Sequence, residues 1–344
     1  MKMNNKNYNA LSVALLLICT LLVMSCTKNL PDARLSLGSD SQFTTTVYQP
    51  VLGRNTLFSD NFTVASSSLP LTFKIVNMHR FSGDPAPELT ENFPVLVWKK
   101  PYLGDEKSLA EIEAKRSLEN HPLFEIREHS GQFLMWAKAK SDFVHARPDS
   151  GYVFDVEMSN SGGRRYFRNF KLQPFRERAY EPSDLNAETG QSTNAFIYPS
   201  IFSNIRGERT NRYLSPTEVQ VLFNKKNSTG NSLTFKFVDS LFNPIDPNKF
   251  AKTQWPTVVH GFDMVKTNQS VTYNVAYPIP LSTYTTIYTT PSGQQASAVF
   301  RYDRQGFGNQ LESAQLGTNF NIYEKGDWEI IFWFRTERPK FDND

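Results

Sequence analysis

Cysteine is almost missing from this chain: 344 residues hold only Cys19 and Cys26. A disulfide framework beyond residue 26 is thereby excluded, so an exported form must hold itself together by burial. A dominant charge is missing too. Lys and Arg number 37 against 34 Asp and Glu, and without Lys2 and Lys6 the balance is 35 to 34, a net of +1. That balance supports neither a nucleic-acid partner nor attraction to an anionic membrane surface. Long apolar runs are absent after Met24. The stretch from Ala10 to Met24 is shorter than the roughly 18 to 20 apolar residues of a spanning helix, and no later stretch does better. Led by Lys2 and Lys6 and followed by small Ser25, it reads as a secretory signal peptide over residues 1–25.

Catalytic signatures are lacking as well. The chain has no GxSxG, HExxH, P-loop or CxxC. Its five histidines, His79, His121, His129, His145 and His260, stand at no metal-ligand spacing. No catalytic residue, metal or cofactor is assigned. Glycosidases need only two carboxylates roughly 5 to 10 Å apart, and Asp155 and Glu157 share a strand face at about that separation. Alternating acids are also what the solvated face of an antiparallel sheet carries, and that is the preferred reading. Asp239, Asn243, Asp246 and Asn248 in "DSLFNPIDPN" offer hard oxygen ligands, but Asn-Pro and Asp-Pro are ordinary turn formers. Arginines 164, 165, 168, 176 and 178 with Lys171 form a basic cluster among aromatics, read as a strand face whose stems cover apolar surface.

What the chain has is β composition: Phe, Tyr, Thr and Val punctuated by Pro, Gly and Asn. "LTFKIVNM" places Leu71, Phe73 and Ile75 on one face, and "YVFDVEM" places Tyr152, Phe154, Val156 and Met158 inward ahead of a hairpin turn at "SNSGG". "DWEIIFWF" is apolar on both faces, which suits a covered strand or an interface. Ser108 and Glu111 stand in capping-box spacing and predict a helix over "SLAEIEAKRSLEN". The fold expected is mostly β, two immunoglobulin-like β-sandwich domains, the first with a short inserted helix. The boundaries are a tether at 26–40, an N-terminal domain at 41–172, a linker at 173–194 that is poor in apolar residues, and a C-terminal domain at 195–344.

Aromatics make up 13% of the chain. "STYTTIYTT" reads as a strand with Tyr284 and Tyr288 on one face, about 14 Å apart for four residues of strand rise. Tyr273 and Tyr277 extend this row into a platform for stacking sugar rings; cross-strand Tyr-Thr packing is the plainer alternative.

Val23-Met24-Ser25-Cys26 resembles a bacterial lipobox, whose cysteine is acylated and becomes the mature N-terminus. Acyl chains on Cys26 would tie the protein to a membrane. With "GYVFDVEMSNSGGRRYF", "RERAYEPS" and "EKGDWEIIFWF", the chain resembles outer-membrane lipoproteins of Bacteroidota, within them a family of unknown function, many encoded beside SusC/SusD-like uptake systems. The resemblance implies an outer-membrane lipoprotein, facing the cell surface or the periplasm, that captures polysaccharide or oligosaccharide or assists such a transporter without catalysis. A glycoside hydrolase with dispersed carboxylates is the alternative.

Overall fold

The computed structural model describes residues 35–344, so Cys26, the signal peptide and most of the tether lie outside the described residues. The architecture is mostly β, as expected. The first half contains β1 (Gln42–Phe43), β2 (Val47–Tyr48), β3 (Thr56–Phe58), β4 (Phe62–Thr63), β5 (Thr72–Arg80), β6 (Asn92–Trp98), β7 (Arg116–Pro122), β8 (Phe124–Ile126), β9 (Phe133–Met135), β10 (Tyr152–Asn160) and β11 (Gly163–Leu172), with short helices α1 (Pro87–Thr90) and α2 (Leu109–Glu113). A sheet in the order β2-β11-β10-β5 closes over the β3-β9-β8 sheet, and the antiparallel pair β6-β7 forms a sheet of its own whose Val95 joins the same buried cluster. Their shared core is aromatic, with Tyr48, Phe124, Phe133, Phe154 and Phe170 all buried.

Period-two patterning places the central hairpin. Tyr152, Phe154, Val156 and Met158 are fully buried, and β10 pairs β11 from Tyr152↔Leu172 to Asn160↔Gly163. A bulge between Phe154 and Val156 changes the role expected of Asp155. Instead of facing water beside Glu157, Asp155 is buried and accepts from Asn77 Nδ2, Arg168 Nη1 and the Asn169 amide, each at 2.9 Å. Burial opposes its charge, but these donors outweigh it and hold its carboxyl below the usual range. Glu157 instead accepts from the Tyr166 hydroxyl at 2.7 Å.

The inserted helix is shorter than predicted. Ser108 caps it by accepting from the Glu111 amide, yet α2 ends at Glu113, and "RSLENHP" is strand β7. Ile112 already buries fully against Tyr102, Ala276 and Leu281. Beyond that single turn an isolated helix gains little, whereas β6 pairs with β7 over its whole length, Asn92↔Pro122 to Trp98↔Arg116.

The second half contains β12 (Tyr180–Glu181), β13 (Ile201–Ser203), β14 (Val219–Asn227), β15 (Ser232–Val238), β16 (Gly261–Lys266), β17 (Val271–Val275), β18 (Ala296–Gln305), β19 (Leu311–Ile322) and β20 (Asp327–Phe334). Five strands in the order β14-β20-β15-β17-β16 form one sheet; β19, flanked by β12 and β13 and paired with β18, forms the other. They pack as a sandwich. Phe300 of β18 meets Phe235, Phe237 and Phe332 of the facing sheet at ring distances of 5.3, 4.8 and 5.4 Å. Strand β20 lies second in that order, between β14 and β15, burying Trp328, Ile330, Phe332 and Phe334 inward and turning Ile331 and Trp333 to the other face.

The stretch 173–194 is strapped down for half its length. Phe175 exchanges backbone hydrogen bonds with Pro50 and Leu52, and four residues on, the Ala179 carbonyl accepts from the Tyr323 amide. Only 188–196 is exposed throughout.

Candidate functional site

Four tyrosines were expected to share a face, and the structure separates them. Tyr273 is buried in the C-terminal core with its hydroxyl donating to the Trp255 carbonyl at 2.6 Å. Tyr277 is buried too, donating to the Ser232 carbonyl at 3.0 Å. Burial pushes both phenols upward. Neither ring has a face to offer a sugar. The strand expected at "STYTTIYTT" is an irregular loop between β17 and β18. Its own hydroxyls capture the backbone: Thr289 Oγ1 accepts from the Thr286 amide at 2.9 Å, and Thr286 Oγ1 from the Tyr288 amide at 3.2 Å. Prolines 278, 280 and 291 around it supply no ladder donors. Tyr288 lies flat on the His260 ring, centroids 4.7 Å apart and planes 1° from parallel, which uses one of its faces. Tyr284 alone is exposed.

Exposed and partly exposed aromatics gather elsewhere, around Trp333 on the outer face of the five-stranded sheet. Trp333 projects from β20 between Gln220 of β14 and Val238 of β15, its register neighbours. Strand β15 then turns at Asp239, whose carboxylate accepts from the amides of Leu241 (3.0 Å) and Asn243 (2.9 Å). Burial works against the charge of Asp239, but those amides and Arg338 hold its carboxyl below the usual range. The calcium-ligand candidates of this loop are thus turn formers: Asp239 holds this bend, and Asp246 accepts from the Asn248 amide at 2.8 Å. No group of three or more His, Cys, Asp or Glu side chains among the described residues could hold a metal ion.

The turn presents Phe242 at a φ of 64°, a left-handed backbone that costs an L residue roughly 1 to 2 kcal/mol. Its ring meets Trp333 at 4.7 Å. The Arg335 guanidinium continues the row, 5.7 Å from the Trp333 centroid and 4.6 Å from that of Phe196, and Tyr198 follows Phe196 at 6.4 Å. Ile197, between those two, packs on the core and accepts from the Val221 amide at 2.8 Å, which pins the pair beside β14. Phe242 and Phe196 are each about half exposed, at 50% and 49%. Beneath the row, Gln220 Oε1 and Trp333 Nε1, an acceptor and a donor on directly opposed residues, have no hydrogen-bond partner. Phe242-Trp333-Arg335-Phe196-Tyr198 is therefore a continuous strip of four rings and one guanidinium, in which Trp333 stands on strand β20 and the others on the turn and connectors around it.

Signals for the strip exist in the sequence. Ile331 and Trp333 mark β20 as apolar on both faces, and Phe242 is a large ring inside a turn motif. Phe196 and Tyr198 carry no comparable signal, because they follow a polar connector and their place is set by pairing with β14.

The remaining polar clusters are closed. His260 is buried, its Nε2 donating to the Glu106 carbonyl at 3.0 Å, which leaves Nδ1, 2.5 Å away, to accept from the Tyr102 hydroxyl. The nearby Glu106 carboxyl is penalised by burial, yet Lys115 and the amides of Leu103 and Gly104 bring it down to about 2. Buried at Tyr102, Glu106 and His260, this cluster locks the β6-β7 region to the second sandwich. Of the basic cluster, Arg165 is spent on the Gly38 and Ser41 carbonyls, Arg168 on Asp155 and Arg178 on Glu181.

A family model described as a domain of unknown function, DUF5007, matches residues 62–343. Neither a curated protein nor a solved structure matches the chain.

Proposed function

The chain belongs to the DUF5007 family, a domain of unknown function, and from that premise we propose that it is a non-catalytic glycan-binding lipoprotein of the cell envelope. One observation carries this reading: the strip from Phe242 through Trp333 and Arg335 to Tyr198. Flat rings, with Trp333 partly and Phe242, Phe196 and Tyr198 more fully exposed, accept the C–H faces of sugars, while the exposed Arg335 guanidinium suits hydroxyls. The left-handed backbone at Phe242 fits the same view, since strain is retained where a side chain must be aimed. A turn serving only to reverse the chain would place glycine or asparagine there.

Acylation of Cys26 would anchor the protein to the outer membrane, and a SusC/SusD-like transporter of Bacteroidota is the partner this reading supplies with captured polysaccharide. Two experiments test it. Trp333→Ala should abolish retardation in polysaccharide affinity gels while circular dichroism is unchanged; equal retardation of variant and wild type, or release of reducing ends by the wild type, overturns the binding role. Cys26→Ala should lose incorporation of labelled fatty acid, and a labelled band persisting in that variant refutes the anchor.

A further inference from the structure

The turn that aims Phe242 into the strip continues directly into the wall of a cleft of about 320 Å³. That volume lies at the small end of the roughly 300–1,000 Å³ usual for small-molecule sites. Four separate segments converge on it. Lys249 closes a short helical turn that follows Asp246. Asn268 and Gln269 form the tip between β16 and β17, where Thr267 Oγ1 accepts from the Gln269 and Ser270 amides at 3.1 Å each. Glu208 is fixed through its amide to the Arg338 carbonyl at 2.9 Å. The C-terminal strap supplies Phe341 and Asp342.

This strap is rigid. Phe341 packs on Tyr302 and Phe250 at 4.7 and 5.2 Å. Fully buried Arg304 donates from Nε to the Asp342 carbonyl at 3.2 Å and pairs with Asp344 and Glu312. The backbone is thus held while functional groups are left over. Among the described residues, the side chains of Glu208, Lys249, Asn268, Gln269 and Asp342 make no hydrogen bond or ion pair with protein, although all line one cleft.

We propose that this cleft is a second subsite that holds the end of a neutral glycan, one or two sugar rings, and that it rests on the strip's reading as the chain's glycan platform. The lining chemistry selects the class. Three carboxylates, Glu208, Asp246 and Asp342, face two cations, Lys249 and Arg338. An anionic ligand meets an excess of acid there, whereas vicinal hydroxyls use carboxylate and amide acceptors together with ammonium and amide donors. Position supports the link to the strip. Four residues separate Phe242 from Asp246, at most about 14 Å of chain. Arg338, in the cleft wall, donates to the Pro244 carbonyl at 3.2 Å and faces Asp239 at 3.4 Å, so it braces the same turn. A glycan lying on Trp333 and Phe242 reaches the cleft by rounding that turn.

Calorimetric titration of the chain with cellobiose, maltose and mannobiose, and with their hexasaccharides, tests this. Gln269→Ala and Glu208→Gln, both at exposed positions, should each weaken binding of a disaccharide and its hexasaccharide about tenfold, as loss of one well-placed hydrogen bond at Gln269 or of the charge assisting one at Glu208 does. Trp333→Ala should weaken only the hexasaccharide. If both cleft variants bind like wild type while Trp333→Ala loses the hexasaccharide, the subsite is wrong and the platform stands. If disaccharide binding depends on Gln269 and Trp333→Ala changes nothing, the subsite stands and the platform is wrong. Absence of binding by any of these sugars overturns both. Hydrolysis of a bound hexasaccharide overturns the holding role.

Discussion

A tyrosine is core or surface according to what its two ends meet, and period-two spacing alone does not decide this. Tyr273→Phe removes a buried hydroxyl and its hydrogen bond to the Trp255 carbonyl, which keeps only the Val258 amide at 3.3 Å, so it should cost roughly 0.5 to 1.5 kcal/mol of stability in a denaturant melt. Tyr284→Ala removes an exposed ring and should stay within about 0.5 kcal/mol. Equal losses at the two positions would contradict this division. Glu312 provides a pH test at the same scale. It is paired with Arg206 and Arg304 and accepts from the Tyr213 hydroxyl at 2.9 Å. Hydrogen bonds from Arg206 foremost push its carboxyl down from 4.5 to about 2, against some burial penalty. A folded-state value lowered in this way adds stability that is complete above about 4.5 and fades as pH falls toward about 2. Glu312→Gln should be less stable at neutral pH and should show a shallower decline of melting temperature across that window. A parallel decline in variant and wild type would remove Glu312 from the acid response.

Strands and loops differ in how much of their placement the sequence carries. β5, β10 and β20 were legible because apolar residues alternate along each: Phe73 in β5 with Leu71 just before it, Tyr152 to Met158 in β10, and Trp328 to Phe334 in β20. The bulge at Asp155 was not, since it depends on Asn77 and Arg168 arriving from neighbouring strands. Helix α2 was legible at its cap and illegible at its end, because Arg116 to Pro122 is claimed by β6, a partner distant from any local signal. In "STYTTIYTT" the alternation was present and misleading. Hydroxyls that can pair across a sheet can also bond to their own backbone, and three nearby prolines tip the choice toward the loop. Thr289 is the hinge of that outcome, accepting from the Thr286 amide and donating to the Thr286 carbonyl at 3.1 Å. Thr289→Val should raise amide hydrogen exchange over residues 284–290 severalfold while leaving the global melt nearly unchanged. Unaltered exchange would show that the loop is held by something other than its threonines.

The whole molecule is organised by two aromatic cores and a seam. One cluster of buried apolar residues lies in the first half and one in the second, and a small third cluster of Tyr102, Ile112, Ala276 and Leu281 draws on both. Polar contacts reinforce the seam. Arg54 donates to Glu181 at 2.9 Å and to the Tyr323 hydroxyl at 3.0 Å, Lys140 pairs with Glu324 at 2.9 Å, and Arg116 donates to the Tyr277 carbonyl at 2.7 Å. Burial penalises the charges of Glu181 and Glu324, yet the facing cations keep both carboxyls below their usual range, so both remain ionised and paired at neutral pH. The low apolar content of 173–194 marks a connector, but not that its first half is bonded to both sides through Phe175 and Ala179. Protease access therefore narrows to the exposed run 188–196. Limited proteolysis should nick the folded chain there first, and the two fragments should still elute together from a sizing column under native conditions. Their separation without denaturant would mean that the seam contributes little. A resistant fragment running uncut through 188–196 would mean that this exposed run is held as firmly as the strap before it.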